Sequence, residues 1–364
     1  MRRLLFFALP LALAACDSPS TCDGPGCGGG PPQDDIVAGV NLTRLFATPT
    51  PAELAAVRAE WSSRDATRAG RYTVALVDTL TGEDGAPLHV YEGRDAASGA
   101  VLFHGVVRLP IRAPGDVRRR PLVLVLPDGD EGTGLDLLEA LPILPTEREE
   151  YAYAVLAYRG EPLRAGGQTF GSSAPPRPYD LDTDDAHAFV DAVRVREPEV
   201  FPDRVAVIGF GRGGTVALLA VERAHPFDLA VSLGAPTSFF LSSVRFPSRQ
   251  WLLGQGPIRL PAFPTVAAQV LGPLRDSAIT YDQARLDLLR RSPAPFVTPP
   301  PFLILAHGVL DNVVPVEHGR AVRGILGTGE GVYLEREEDD HTSISFSSEV
   351  VLLVSTELRE RLGG

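Results

Sequence analysis

The stretch Asp203-Arg-Val-Ala-Val-Ile-Gly-Phe-Gly-Arg-Gly-Gly214, followed at once by Thr-Val-Ala-Leu-Leu-Ala-Val-Glu-Arg-Ala224, decides how the chain is read. Residues 204–210 form a short apolar run without polar alternation, the pattern of a strand buried on both faces. Residues 215–224 read as a helix, and the glycines between let that helix begin almost on top of the strand, where side chains find no room. Working outward, runs of the same form recur at 121–127, 153–158, 228–233 and 302–307, with helical stretches at 183–196, 281–291 and 317–326. Upstream, Thr50, Pro51 and Glu53 mark the start of a helix over 50–63. Strand-like runs follow at 72–78, 88–92 and 101–109. Early hairpins followed by β-α alternation predict an α/β fold, a doubly wound and mostly parallel sheet, over residues 41–364. Residues 237–298, rich in proline and aromatic side chains, interrupt the rhythm and read as a cap insertion.

Composition removes several chemistries. The chain has 364 residues, 44% of them apolar, enough for a large core. All 34 basic residues are arginine. No Schiff-base lysine, Ser-Lys dyad or Walker-type lysine is therefore available. The net charge of −12 argues against a nucleic-acid partner, which calls for a clustered basic face. The three cysteines, Cys16, Cys22 and Cys27, all precede the expected domain, which leaves that domain no thiol nucleophile. His307, His318 and Asp311 lack compact ligand spacing, and neither a metal nor a cofactor is expected.

The strand-turn-helix at 203–224 resembles the nucleophile elbow of α/β-hydrolases, particularly the prolyl-oligopeptidase-like and dienelactone-hydrolase-like branch. Their G-x-S-x-G is matched at Gly209, Phe210, Arg212 and Gly213, but position 211 is glycine. Two further segments carry the resemblance. Ala306-His-Gly-Val-Leu-Asp-Asn-Val-Val-Pro315 looks like the segment that supplies the family's acid, which implies Asp311 in that role. Glu338-Asp-Asp-His-Thr-Ser-Ile344 matches the histidine segment at His341. The order elbow, acid, histidine agrees with the family. The resemblance implies an α/β-hydrolase fold with a cap, backbone oxyanion donors at Gly129 and Arg212, and a small ester or peptide-like ligand. A second departure is Pro127-Asp-Gly-Asp130, where many relatives have His-Gly-Gly; Asp128 brings negative charge toward the oxyanion site. The acidic run 335–340 is expected to be a solvated face that raises the pKa of His341 if close.

Residues 1–16, MRRLLFFALPLALAAC, have the three parts of an export signal. Leu13-Ala14-Ala15-Cys16 resembles the lipobox of bacterial lipoproteins, which implies acylation of Cys16 and anchoring in the bacterial cell envelope. Removing residues 1–15 takes away two arginines and no acid, moving the net charge from −12 to −14. Residues 16–40 read as a flexible tether, in which Cys22 and Cys27 are available to pair with each other. Inner versus outer membrane and oligomeric state stay open.

Two functional readings follow. In the first, the chain is a lipid-anchored pseudo-hydrolase whose former cleft binds a ligand or partner. In the second, an esterase or peptidase survives, with Asp311 and His341 activating water or a relocated hydroxyl such as Ser172 or Ser173.

Overall fold

The computed structural model describes residues 34–363 except 130, 143, 145–147, 224–226, 298–301, 325 and 327–330. Residues 1–16, whose sequence is read above as an export signal, and Cys22 and Cys27 lie outside the described residues. A nine-stranded mixed sheet forms the centre. Its strands, in chain order, are β1 (Tyr72–Thr81), β2 (Pro87–Asp95), β3 (Val101–Arg108), β4 (Arg120–Leu126), β5 (Ala152–Ala157), β6 (Val200–Phe210), β7 (Leu229–Leu233), β8 (Leu303–Gly308) and β9 (Gly331–Arg336). The spatial order is β9-β8-β7-β6-β4-β5-β3-β2-β1. From β9 to β5 all pairs are parallel, whereas β5, β3, β2 and β1 pair antiparallel.

The continuous apolar runs occupy the middle of this sheet because both faces there are covered. Leu122, Leu124 and Leu126 face one core cluster, with Val207, Val216 and Phe189. Val123 and Val125 face the other, with Ile208, Val231 and Val354. The longer helices are α1 (Pro51–Ala66), α2 (Asp180–Arg196), α3 (Arg212–Glu222), α4 (Ser242–Leu253), α5 (Phe263–Arg275), α6 (Tyr281–Leu289), α7 (Glu317–Arg323) and α8 (Ser348–Leu362). Thr50 caps α1 with a reciprocal bond to Glu53, so the start signal in the sequence is realised in the structure. Among the described residues no helix is long and apolar enough to cross a membrane.

Two regions depart from the sequence expectation. Between β7 and β8, the described residues of 237–298 fold largely as helices; α6 falls within the stretch expected at 281–291, whereas α4 and α5 form although Pro247 and Pro273 lie inside them, where proline ordinarily signals a break. The N-terminal segment is tied to these helices. Ile36–Val37 and Val40–Asn41, partly within the expected tether, form a small strand pair. Val37, Leu42, Val57 and Trp61 share a third apolar cluster with Phe263, Val266 and Leu288. Arg285 of α6 clasps the junction by donating to the carbonyls of Leu45 and Ala47, each at 2.8 Å, and to the Glu53 carboxylate at 2.6 Å.

Candidate active site

The C-terminal ends of four adjacent parallel strands bring the candidate residues together. β6 delivers Gly211, and Gly211 N–H donates to the carbonyl of Leu233 at the end of β7. The turn is tight enough to demand glycine: a Cβ on Gly209 would lie 2.1 Å from the Gly213 carbonyl oxygen. Gly211 itself has φ +46° and ψ −112°, a conformation that L side chains rarely adopt and that costs a non-glycine residue about 1–3 kcal/mol.

β8 delivers Asp311. Its Oδ1 accepts N–H bonds from Val313 and Val314 at 2.9 and 2.7 Å, which fixes the carboxylate so that Oδ2 meets His341 Nδ1 at 2.8 Å. His341 reaches this place because the loop after β9 is stitched to the end of β8 by the bonds Val309 N–H to Arg336 and Leu310 N–H to Asp339. The acid and histidine segments singled out in the sequence therefore do form a hydrogen-bonded pair.

β4 delivers Asp128, which turns out to be the central group of the site. Its Oδ2 lies 2.9 Å from His341 Nε2, and its Oδ1 accepts the Arg212 N–H at 3.0 Å. The carboxylate covers Gly211: a Cβ built there would be 2.0 Å from Oδ1 and 2.3 Å from Cγ of Asp128. The aspartate thus fills the space that a side chain at the elbow would need.

Asp128 is held from its flanks as well. Tyr158 Oη donates to the Pro127 carbonyl at 3.0 Å, and Arg212 Nη1 donates to the Gly129 carbonyl at 3.3 Å. The buried Arg212 guanidinium is in turn locked by Asp182 at 2.9 Å and Glu161 at 2.5 Å, and lies over the Tyr158 ring. Of the two expected oxyanion donors, Arg212 spends its N–H on a carboxylate of the chain itself. Gly129 enters the observed network through its carbonyl.

Electrostatics follow from this geometry. Burial opposes charge on His341, but hydrogen bonds to Asp128 and Asp311 outweigh it and push the imidazole up to about 10. Asp311 is held well below the usual carboxylate range: burial acts against this, and the bonds from His307, His341 and the Val314 backbone prevail. The two carboxylates clasping His341 raise its pKa, whereas Glu335 and Asp339 of the acidic run are engaged with arginines. Glu335 is paired with Arg320 at 2.5 Å and Asp339 with Arg336 at 3.4 Å.

Neither proposed replacement hydroxyl is hydrogen-bonded to His341. Ser172 Oγ donates to the Leu102 carbonyl at 2.7 Å and accepts from Gly160 N–H at 3.2 Å, so it clamps a loop; Ser173 is exposed. Both ring nitrogens of His341 are taken by aspartates. His307 and His318 are likewise engaged locally, with the Val314 carbonyl and the Thr237 N–H respectively. Among the described residues no group of His, Cys, Asp and Glu is placed to hold a metal ion.

The sheet order, the elbow and the Asp311–His341 pair define an α/β-hydrolase fold, and solved structures of that fold superpose on the chain. One is acetyl xylan esterase 1 from Thermoanaerobacterium sp. JW/SL YS485, with a TM-score of 0.57 and 15% identity, covering 88% of this chain and 99% of that one. Another is an acetyl xylan esterase from Paenibacillus sp. R4, with a TM-score of 0.58 and 18% identity over 87% and 99% of the two chains. A puromycin-hydrolyzing peptidase from Mycobacterium tuberculosis is similar at a TM-score of 0.51 and 18% identity, covering 80% of this chain and 46% of the peptidase. No protein-family model matches the sequence, and no curated protein matches it.

Sequence reasoning marked Asp128 as a departure from its relatives without assigning it to His341. The signal was its place at the end of a buried strand; its partner is 213 positions away in sequence, a separation only the fold closes.

Proposed function

We propose that the chain is a lipid-anchored α/β-hydrolase-like protein in which serine acyl transfer is absent and the former catalytic cleft binds a small ester or peptide-like ligand without cleaving it. The observation that carries this reading is the Asp128 carboxylate over Gly211, bonded to both Arg212 N–H and His341. Acyl hydrolysis needs a nucleophile, a neutral imidazole to take its proton, and N–H donors aimed at the developing oxyanion. Here the elbow has no side chain, the imidazole is charged at neutral pH, and a donor is occupied by an anion. Loss of the serine alone cost about 10⁶ in turnover in a well-studied protease, and loss of one oxyanion donor typically costs about 10²–10³ more. The anchoring part rests on Leu13-Ala-Ala-Cys16. Several acyl chains on one cysteine hold a soluble domain stably at a membrane, at about 0.8 kcal/mol per buried methylene.

The test is incubation of the pure protein with a fluorophosphonate probe and with short-chain p-nitrophenyl esters. Neither labelling nor turnover above buffer is expected. Labelling at Ser172 or Ser173, or turnover that disappears in His341→Ala, would overturn the reading. For the anchor, palmitate should label the wild type and not Cys16→Ser; equal labelling of both rejects it.

The same contacts favour a second reading, in which Asp128 is itself the nucleophile. Its carboxylate would form a C–O bond to an electrophilic carbon as the leaving group departs with its bonding pair. Esterified, Asp128 no longer stabilises the imidazolium, which gives its proton to the departed leaving group; neutral His341 then takes a proton from the water that attacks the ester carbonyl, the acyl C–O bond breaks, and the new carboxylic acid passes its proton to the alkoxide, restoring the Asp128 carboxylate and releasing an alcohol. An Asp128 adduct accumulating in His341→Gln under an alkylating electrophile, read by peptide mass spectrometry, would favour this over the binding role.

A further inference from the structure

A cavity of about 300 Å³ opens between α4, the segment 257–260 and the loop that follows Asp311. Its walls are mostly apolar, formed by Val244, Ile258, Leu260 and Val313. Phe246 stands at the same cavity with 66% of its surface exposed, an apolar ring left against water. Among the described residues, Arg259 is the only charged side chain that lines it. Its guanidinium bonds to Asn312 Oδ1 at 3.2 Å and, among the described residues, has no carboxylate within ion-pair distance.

Gln250, Asn312 and Ser243 add uncharged polar groups to the lining, and the Ser243 N–H donates to the Glu317 carboxylate at 2.8 Å. Ser243 Oγ lies 3.3 Å from His318 Nε2. His318 Nδ1 accepts N–H bonds from Thr237 and Ser238 at 3.1 and 3.4 Å, which puts the imidazole proton on Nε2. Burial, with the charge of His307, keeps that imidazole neutral, pulling it down to about 3. Nε2–H therefore donates to Ser243, and the Ser243 proton is left free to donate onward. The arrangement cannot activate Ser243 as a nucleophile, since the facing nitrogen carries a proton. It makes Ser243 a hydrogen-bond donor.

We propose that this cavity binds a short monocarboxylate with an aliphatic or aromatic body, the carboxylate on Arg259 and Ser243 and the body against Val244, Phe246 and Leu260. An apolar body is required by the walls, because a polar one would lose its hydration without partners. A carboxylate head is required by Arg259, whose planar fork matches that group and whose charge has no protein counter-ion. The volume is at the small end of the roughly 300–1,000 Å³ of ligand sites, which excludes long chains. The proposal goes beyond the reading of Asp128, because neither Gly211, Asp128 nor His341 lines this cavity.

Isothermal titration of the full chain with sodium hexanoate tests it, with 1-hexanol and sodium acetate as the head-less and body-less comparisons. One saturable site for hexanoate is expected, with both comparisons at least tenfold weaker. Arg259→Gln should weaken hexanoate about tenfold or more and leave hexanol unchanged, in keeping with loss of one charge-assisted bond. Val244→Trp, which fills the cavity, should abolish binding. Arg259 is exposed, so Arg259→Gln keeps the test decisive even if Val244→Trp does not fold. Absence of saturable hexanoate binding, wild-type affinity in Arg259→Gln, or hexanol binding as tightly as hexanoate would overturn the proposal.

Discussion

His341 and His318 both lie near the acid loop, and their surroundings leave one charged and the other neutral. His341 meets a carboxylate at each ring nitrogen, Asp311 and Asp128, and is held as an imidazolium. His318 meets backbone N–H donors at Nδ1 and a hydroxyl at Nε2, lies fully buried, and is held neutral. Burial opposes charge at both positions. What differs is the identity of the partners: carboxylates bonded to both nitrogens overcome the desolvation penalty at His341, whereas burial prevails at His318, where no carboxylate is hydrogen-bonded to the ring. In this chain a histidine bonded to Asp311 is therefore not automatically a base, because a second carboxylate at its other nitrogen removes that capacity.

The largest effect is expected from removing that second carboxylate. In Gly211→Ser alone, the new Cβ competes with Asp128, so no esterase activity and a lower melting temperature are expected. Gly211→Ser combined with Asp128→Gly clears the space, releases Arg212 N–H and leaves His341 paired to Asp311 only. The double variant should exceed either single one by about 10² or more on p-nitrophenyl acetate, the order of an oxyanion donor's effect. Equal rates in all three would show that Asp128 is not what blocks the elbow.

Next in size is the network that holds Asp128 in place. Arg212→Met leaves Asp182 and Glu161 buried and uncompensated, and should cost about 3–5 kcal/mol of unfolding free energy, as breaking a buried ion pair does. Urea denaturation measures it; a loss under about 1 kcal/mol would mean the buried acids find other partners or protons.

The histidines themselves give the smaller, pH-dependent differences, and with opposite sign. The folded pKa of His341, about 10, is above the unfolded value near 6.5. Its contribution to stability is full below about pH 6.5 and is lost as pH rises through 10. Asp128→Asn should lower the His341 pKa, read from ring nitrogen shifts by NMR, and shrink this alkaline decline; an unmoved pKa would put Asp311 alone in control. The folded pKa of His318, about 3, lies below the unfolded value, so the unfolded state takes up more protons between these limits. Stability should fall as pH drops from about 6.5 toward 3, and His318→Gln should reduce that slope. If its urea midpoint changes between pH 7 and pH 4.5 as much as the wild type's, His318 is not held neutral by the fold.

Much of this arrangement is legible in the sequence, for reasons that can be given residue by residue. The parallel strands reveal themselves because burial on both faces demands uninterrupted apolar runs such as Leu122–Leu126. The elbow reveals itself because the backbone leaves room only for glycine at 209 and 213, and Asp311 and His341 follow in the order of the family it resembles. Less legible is β9, Gly331–Arg336, an edge strand half-buried along its whole length and therefore without a clean apolar signal. Proline hides α4 and α5. The reach of Asp128 to His341 depends on side chains from two loops converging over a third, and local patterning has no access to that. Its charge and its place at the end of β4 are readable; its partner is not.

The competition between Asp128 and a Cβ at position 211 also constrains how the sequence is free to vary. The two positions behave as a lock: a side chain becomes admissible at 211 only once residue 128 has lost its carboxylate or in the same step. Substitutions at either position should therefore show strong sign epistasis. A random-mutagenesis search for esterase activity that samples one codon at a time will pass over the pair, whereas a library that varies both together will not.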